Sequence, residues 1–139
     1  MPTLTEDAIG TEAFYHGDVN IWGGSSADEC TNNANYGCER SAAGSGNVIN
    51  PIRTARLRTI NSFSFQYGRV EVKAKLPKGD WLWPAIWLLP TENTYGGWPS
   101  SGEIDVMESR GNDPSYVAGG HNSFASTLHW GPSFAYNKY

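Results

Sequence analysis

The segment SGEIDVMES, residues 101–109, constrains the fold more than any other stretch because its three carboxylates are unevenly spaced. Glu103 and Asp105 are two residues apart, so on a β-strand they share a face. Glu108 lies five residues beyond Glu103, and regular alternation sends it to the opposite face. An α-helix does no better, because a rotation of about 100° per residue spreads these positions around the cylinder. Neither regular element separates charged from apolar side chains.

A β-bulge at Met107 resolves this conflict. A bulge inserts one additional residue into a strand and resets the alternation of its side chains. If Met107 is that residue, all three acids face one side, whereas Ile104, Val106 and Met107 face the other. The segment therefore predicts a bulged strand with one acidic and one apolar face.

Composition favours a turn-rich β protein. The 139 residues include 16 Gly, eight Pro and six Trp, and 39% of them are hydrophobic, as is typical of a globular domain. The formal net charge is −4 and no basic stripe is present, which argues against a nucleic-acid partner. No run approaches the roughly 18 apolar residues that cross a bilayer. We therefore expect an all-β protein with neither nucleic acid nor membrane as a partner.

Strand signals dominate the second half of the chain. YGRVEVKAKLP alternates apolar and charged residues and predicts a half-exposed antiparallel strand over 69–76. WLWPAIWLLP, at 81–90, is apolar on both faces and predicts a buried strand or a groove lined with indoles. ASTLHWG, at 125–131, predicts one further strand. Residues 1–50 predict loops around one weak strand at 18–24, and no amphipathic helix of ordinary length is expected. Two packed sheets are the simplest architecture.

Cys30 and Cys38 are the only cysteines, and they enclose an Asn-rich loop. Such a loop can be closed by a disulfide, whereas a zinc site needs two further ligands that the histidines do not supply at suitable spacing. The pattern favours a disulfide over two free thiols, and with it an oxidising compartment. No signal peptide is visible at residues 1–10, so either the protein is not secreted or its true N-terminus is missing.

The acidic face has three possible explanations: solvated surface charge, a metal site or a glycosidase site. Solvated charge that discourages aggregation is the plainest, but Glu and Asp are poor strand formers. A calcium or magnesium site is disfavoured because the D-x-[DN]-x-[DN]-G pattern is absent and a strand wraps a cation poorly. A retaining glycosidase needs two carboxyls about 5–5.5 Å apart, which two glutamates flanking an aspartate can reach. Indoles offer platforms for sugar rings, and four tryptophans precede the acids closely: Trp81, Trp83, Trp87 and Trp98.

The segment GEIDVMES resembles the E-[ILV]-D-x-x-E signature of glycoside hydrolase family 16, in its laminarinase-type branch with the additional bulge residue. The resemblance continues through YGRVEVKAKLPKGDWLWPAIWLLP, YGGWPSSGEIDVMESRGN and STLHWGP, from about residue 50 to residue 132. CTNNANYGCER and NPIRTARLRT are similar to animal-type members, which include endo-β-1,3-glucanases and β-1,3-glucan-recognition proteins.

The resemblance implies a concanavalin A-like jelly-roll, a β-sandwich of two antiparallel sheets with the acids on its concave face. It implies retaining hydrolysis of internal β-1,3 bonds in laminarin-like β-glucans. Glu103 would be the nucleophile and Glu108 the general acid/base, with Asp105 between them to tune the nucleophile. Five further residues are implied as sugar contacts: Trp98, His129, Trp83, Arg110 and Trp130.

The chain is short for a catalytic domain of this family. Residues 1–139 are therefore interpreted as part of a single domain truncated at both ends, so the sandwich is incomplete in this chain. We expect an extracellular monomer that binds β-1,3-glucan, with no cofactor and no metal site, since the family's structural calcium draws on terminal segments absent here. The alternative is a non-catalytic β-1,3-glucan recognition protein of innate immunity. The intact acids favour the enzyme, although some recognition proteins also retain them.

Overall fold

The structure is a computed structural model that describes residues 2–23, 30, 33–44 and 46–139. The chain divides into two compact units, Met1–Leu57 and Arg58–Tyr139. Within the described ranges, no helix combines the length and the apolar character that a membrane span requires.

The first unit combines two antiparallel two-stranded ladders with short helices. In chain order its elements are β1 (Thr3–Leu4), α1 (Thr5–Ile9), α2 (Thr11–His16), β2 (Asp18–Asn20), a 3₁₀ turn (Ala34–Tyr36), β3 (Glu39–Ser41) and β4 (Ile52–Arg53). β1 pairs with β4, and β2 pairs with β3. A small core forms around Phe14, Ala42 and Ile49. The weak strand predicted at 18–24 is present as β2, but α1 and α2 were predicted as loops. Each of these helices buries only one residue, too few for a helical period to show in the sequence.

Cys30 and Cys38 form a disulfide, which confirms the predicted pairing. Cys38 is fully buried. The side-chain carbonyl of Asn33 accepts hydrogen bonds from the backbone N–H groups of Cys38, at 3.0 Å, and Glu39, at 2.8 Å. The cross-link and this amide together fix the chain where it enters β3.

The second unit contains one three-stranded antiparallel sheet in the order β5–β6–β7. These strands are β5 (Ala85–Leu88), β6 (Glu103–Ser109) and β7 (Phe124–His129), and a 3₁₀ turn follows at Phe134–Tyr136. The strands predicted at 101–109 and 125–131 are confirmed. The strand predicted at 81–90 is reduced to four residues. Pro84 and Pro90 flank it, and proline has no N–H group for a ladder.

The strand predicted at 69–76 does not form. No backbone ladder joins these residues to another strand in the described part of the chain, and Val72 is 54% exposed. Arg69 and Glu71 instead pair with each other on the surface. An alternating sequence becomes a strand only where a neighbour supplies hydrogen bonds.

Antiparallel pairing accounts for the three sheets formed by the described residues, and the second unit contains no α-helix. The all-β prediction is thus confirmed, and these sheets are consistent with the jelly-roll fold. The β5–β6–β7 sheet carries the three acids predicted as the site.

Candidate active site

A β-bulge lies between the second and third acids of β6. Asp105 is opposite Thr127 on β7, and Glu108 is opposite Ala125, so two residues of β6 face a single residue of β7. The register with β5 shifts at the same place. The bulge predicted from the odd spacing of the acids is therefore present.

Val106 and Met107 form the bulge, and they differ in their partners. Met107 is opposite Ile86 and is 8% exposed, whereas the register with β5 skips Val106. The prediction named Met107 as the additional residue, but against β5 that residue is Val106. The hydroxyl of Ser126 donates to the backbone carbonyl of Val106 at 2.9 Å. This hydrogen bond stabilises the bulge, because the displaced carbonyl keeps a partner.

Asp105 occupies the centre of the cluster. Its side chain is 1% exposed, and its Oδ2 lies 3.3 Å from Nε2 of His129. Neither of its oxygens has an aligned hydrogen bond from the described residues. Asp105, Glu108 and His129 each offer one donor atom within 4.8 Å of the other two. These donor types can hold a divalent ion, but the absence of a metal site stays a prediction.

Glu103 begins β6 and lies opposite His129. Gly102 positions it: the backbone there has φ +86°, a conformation that favours glycine, and its N–H donates to the carbonyl of Pro99 at 2.9 Å. The indole N–H of Trp98 donates to the Glu103 carboxylate. Partial burial raises the pKa of Glu103 above its ordinary value, and the charge of Asp105 adds to the rise. The hydrogen bond from Trp98 opposes it.

Glu108 lies beyond the bulge and beside an open cavity of about 260 Å³. Trp83, Arg110 and Phe124 contribute to the cavity wall. Partial burial raises the pKa of Glu108, and the charge of Asp105 raises it further, whereas a hydrogen bond with Trp83 opposes the rise. A carboxyl with a raised pKa keeps its proton at higher pH, as a general acid requires.

His129 ends β7 among aromatic rings. Its ring centroid lies 5.5 Å from that of Trp98 and 5.5 Å from that of Tyr139. Its Nδ1 is 2.9 Å from Nδ2 of Asn137 and 3.3 Å from Oδ1 of the same amide. The chain returns beside His129 because Trp130 exchanges two backbone hydrogen bonds with Lys138, of 3.2 and 2.8 Å.

Asn137 was missed by sequence reasoning. It lies eight residues after His129 and beyond the end of β7, so the periodicity of that strand does not indicate where its side chain lies. The only local signal is the Gly–Pro pair at 131–132, which marks a turn without specifying which later side chain reaches the histidine.

Four of the five predicted sugar contacts lie beside the acids, and the fifth does not. Trp98 and His129 lie beside Glu103, and Trp83 lies beside Glu108. Arg110 lines the cavity next to Glu108, but its guanidinium also donates to the carbonyl of Ala118 at 2.7 Å and so ties down a loop. Trp130 directly follows His129, and strand alternation directs its side chain to the opposite face. The structure thus brings four of the five to the acids.

The site combines three features on one sheet face. Two glutamates with raised pKa values flank a buried aspartate, an indole lies at each end, and an imidazole contacts the centre. Such an arrangement can accept hydrogen bonds from hydroxyl groups and can move a proton to or from a ligand.

Comparison with known proteins identifies relatives of this chain. The family model of glycosyl hydrolases family 16 matches residues 19–130. The chain is 51% identical over 137 residues to a beta-1,3-glucan-binding protein of Penaeus monodon, an alignment that covers 98% of this chain and 37% of that protein. It is 45% identical over 85 residues to glucan endo-1,3-beta-glucosidase A1 of Niallia circulans, covering 61% of this chain and 11% of that protein. It is 38% identical over 113 residues to beta-1,3-glucan-binding protein 2 of Manduca sexta, covering 80% and 23%.

The chain therefore spans 37% or less of the length of each of these relatives. No solved structure gives a significant match. The relatives include both glucan-binding proteins and a glucan hydrolase, so their names do not decide between the two activities. The family match extends from β2 to the residue after β7 and includes all three acids. The chain belongs to the glycosyl hydrolases family 16.

Proposed function

We propose that the protein binds β-1,3-glucan on the sheet face that carries Glu103, Asp105 and Glu108. The observation that carries this proposal is the 51% identity, over 98% of the chain, to a protein named for β-1,3-glucan binding. The chemistry of the site supports it, because Trp98 and Trp83 are 39% and 74% exposed beside the two glutamates. Indoles stack on the apolar faces of sugar rings, and carboxylates accept hydrogen bonds from sugar hydroxyls.

A second candidate function is hydrolysis of the bound glucan. The complete set of acids favours it, since a lectin-like site does not need two glutamates with raised pKa values around a buried aspartate. The 45% identity to a glucan endo-1,3-beta-glucosidase adds support. The proposed reaction cleaves internal β-1,3 bonds with retention of anomeric configuration.

In this reaction, Glu103 attacks the anomeric carbon while Glu108 transfers its proton to the departing glycosidic oxygen. The carbon–oxygen bond breaks, and the sugar is left as an ester on Glu103. Glu108, now ionised, removes a proton from water, which attacks the same carbon and releases Glu103. Trp98 assists the first step, because its N–H stabilises the ionised form of Glu103. Asp105 assists Glu108, because its charge helps that carboxyl retain a proton before the first step.

Calorimetric titration of the full-length protein with laminarin-derived β-1,3-oligosaccharides tests the binding proposal. We expect saturable binding to these ligands and much weaker binding to β-1,4-linked glucose oligomers of equal length. Absence of saturable binding to the β-1,3 ligands would overturn the proposal.

A reducing-end assay on the same samples tests the second candidate. Binding without new reducing ends would identify a recognition protein. New reducing ends, with the β-anomer appearing first by proton NMR, would identify a retaining hydrolase; initial α-anomer would contradict that mechanism.

We further propose that residues 1–139 belong to a single domain of this family and that the protein is an extracellular monomer. The disulfide supports the extracellular assignment, because such cross-links persist in oxidising compartments. Recovery of the protein from the medium of expressing cells, and its mass by light scattering, test these two points. Retention inside the cells or a dimer mass would contradict them.

A further inference from the structure

The two ring nitrogens of His129 face different partners. Nδ1 lies 2.9 Å from the amide nitrogen of Asn137, and Nε2 lies 3.3 Å from Oδ2 of Asp105. A neutral imidazole carries one proton, so one ring nitrogen donates and the other accepts. The partner of one nitrogen therefore determines what the other can do.

The ring of His129 lies close enough to supply Asp105 with a donor. Its side chain is 1% exposed, and the described residues offer neither oxygen an aligned hydrogen bond. An unprotonated Nε2 would direct a lone pair at a buried carboxylate oxygen, which is unfavourable in a site with little water. A protonated Nε2 instead presents an N–H toward the same atom, which lies 3.3 Å away.

Asn137 selects between these two forms. Its amide nitrogen lies closer to Nδ1 than its amide oxygen does, at 2.9 Å against 3.3 Å, and a donated N–H requires a lone pair on that ring nitrogen. We propose that Asn137 is a positioning residue whose N–H donates to Nδ1 of His129, so that the single ring proton lies on Nε2 and faces Asp105. Asn137 affects Asp105 only through His129.

The consequence for glucan rests on the proposed function. His129 orients the central aspartate, and the charge of Asp105 raises the pKa of both flanking glutamates. Loss of Asn137 therefore disturbs the aspartate without removing an acid. The protonation form of His129 itself does not depend on any activity, so it can be measured whether or not glucan is bound.

Long-range ¹H–¹⁵N correlation spectra of the ¹⁵N-labelled full-length protein measure this form directly, at a pH where the imidazole is neutral. The spectrum of His129→Ala identifies the signals of His129. We expect an unprotonated Nδ1 and a protonated Nε2. A protonated Nδ1 in the unmodified protein would overturn the proposal, and this result requires no Asn137 variant to fold.

Asn137→Ala gives the second measurement. The Nδ1–H form should rise about tenfold in population, as expected from the loss of one hydrogen bond. Ser133→Ala is the matched control in the same segment, because Ser133 makes no capping hydrogen bond to the following turn. An Asn137→Ala spectrum identical to that of the control would also overturn the proposal.

Laminarin titrations of the same variants separate this inference from the proposed function. If Nε2 carries the proton as stated but no glucan binds, the glucan proposal fails and the role of Asn137 toward His129 stands. If glucan binds and the proton lies on Nδ1, only the role of Asn137 fails.

Discussion

Residues 69–76 alternate regularly and β6 alternates only around its bulge, but only β6 is a strand. β6 lies between β5 and β7 and exchanges backbone hydrogen bonds with both. Residues 69–76 have no ladder partner within the described ranges. Their apolar Val72 is 54% exposed, whereas Met107 of β6 is 8% exposed. Alternation thus indicates which side chains share a face, but neighbouring strands decide whether the face exists.

The same contrast applies to charge. Glu71 and Arg69 pair on the open surface, where an ion pair contributes little to stability. Asp105 is buried, and the glutamates on either side have raised pKa values. Neighbouring groups can therefore shift the pKa of a carboxyl in a paired strand, whereas a carboxylate in the unpaired segment is exposed to solvent.

Deleting Met107 should have the largest effect. It removes the bulge, so Glu108 turns away from Asp105 or the strand slips in register. We expect laminarin affinity, and any hydrolysis, to fall at least about 100-fold, since the site loses one of its acids. Met107→Leu keeps the residue count and most of the volume, so it should remain within about threefold of the unmodified protein. A folded deletion variant with normal affinity would show that the acids converge by another route.

Hydrogen exchange of the 139-residue chain should show the next largest difference. Amides of β6 that bond to a neighbouring strand should exchange at least about tenfold more slowly than amides of residues 69–76, after correction for intrinsic rates. Measurement by NMR or by mass spectrometry of peptides from each segment would test this. Equal protection would mean that residues 69–76 have a hydrogen-bonding partner of their own.

Ser126→Ala should have a smaller effect, confined to the bulge. The substitution removes the hydroxyl that donates to the carbonyl of Val106, at a cost of about 1 kcal/mol in the free energy of unfolding. Urea denaturation measures this change, and Ser126→Thr is the control because it keeps a hydroxyl. Equal stability of the Ala and Thr variants would contradict a stabilising role for this hydrogen bond.

Glu108→Gln should have the smallest effect on stability, and the size of that effect depends on pH. The folded state raises the pKa of Glu108, so the protonated carboxyl contributes stability below its ordinary pKa, and this contribution is lost as pH rises through the raised value. Gln imitates the neutral form. The variant should therefore be slightly more stable than the unmodified protein at about pH 7 and equally stable at about pH 3, as measured by thermal denaturation. The gain in the free energy of unfolding at pH 7 should be well under about 1 kcal/mol, because the group is partly exposed.

Glu71→Gln provides the matched control from the unpaired segment. Its carboxylate is exposed beside Arg69, so we expect no comparable gain at neutral pH. Equal responses of the Glu71 and Glu108 variants would remove the distinction between the two carboxylates.

The predictable features are those encoded locally. The odd spacing of Glu103 and Glu108 indicated the bulge, and the Asn-rich loop between Cys30 and Cys38 indicated the disulfide. Both depend on residues close together in sequence. The role of Ser126 and the approach of Asn137 to His129 depend on which strands pair and where the chain returns. A single sequence contains no direct signal for these contacts. The short helices α1 and α2 were missed for a related reason, since each buries one residue.

The bulge has an evolutionary consequence. It forms because β6 has one residue more than β7 between Asp105 and Glu108, and the Ser126 hydroxyl on β7 stabilises it. The side chains of the three acids are not needed to form it. On the proposed function, a single codon change from Glu to Gln at position 103 or 108 abolishes cleavage while the backbone that receives the glucan persists. A lineage can thus pass between digesting a polysaccharide and sensing it by point mutation and can reverse the step, whereas loss of one residue from the bulge ends both.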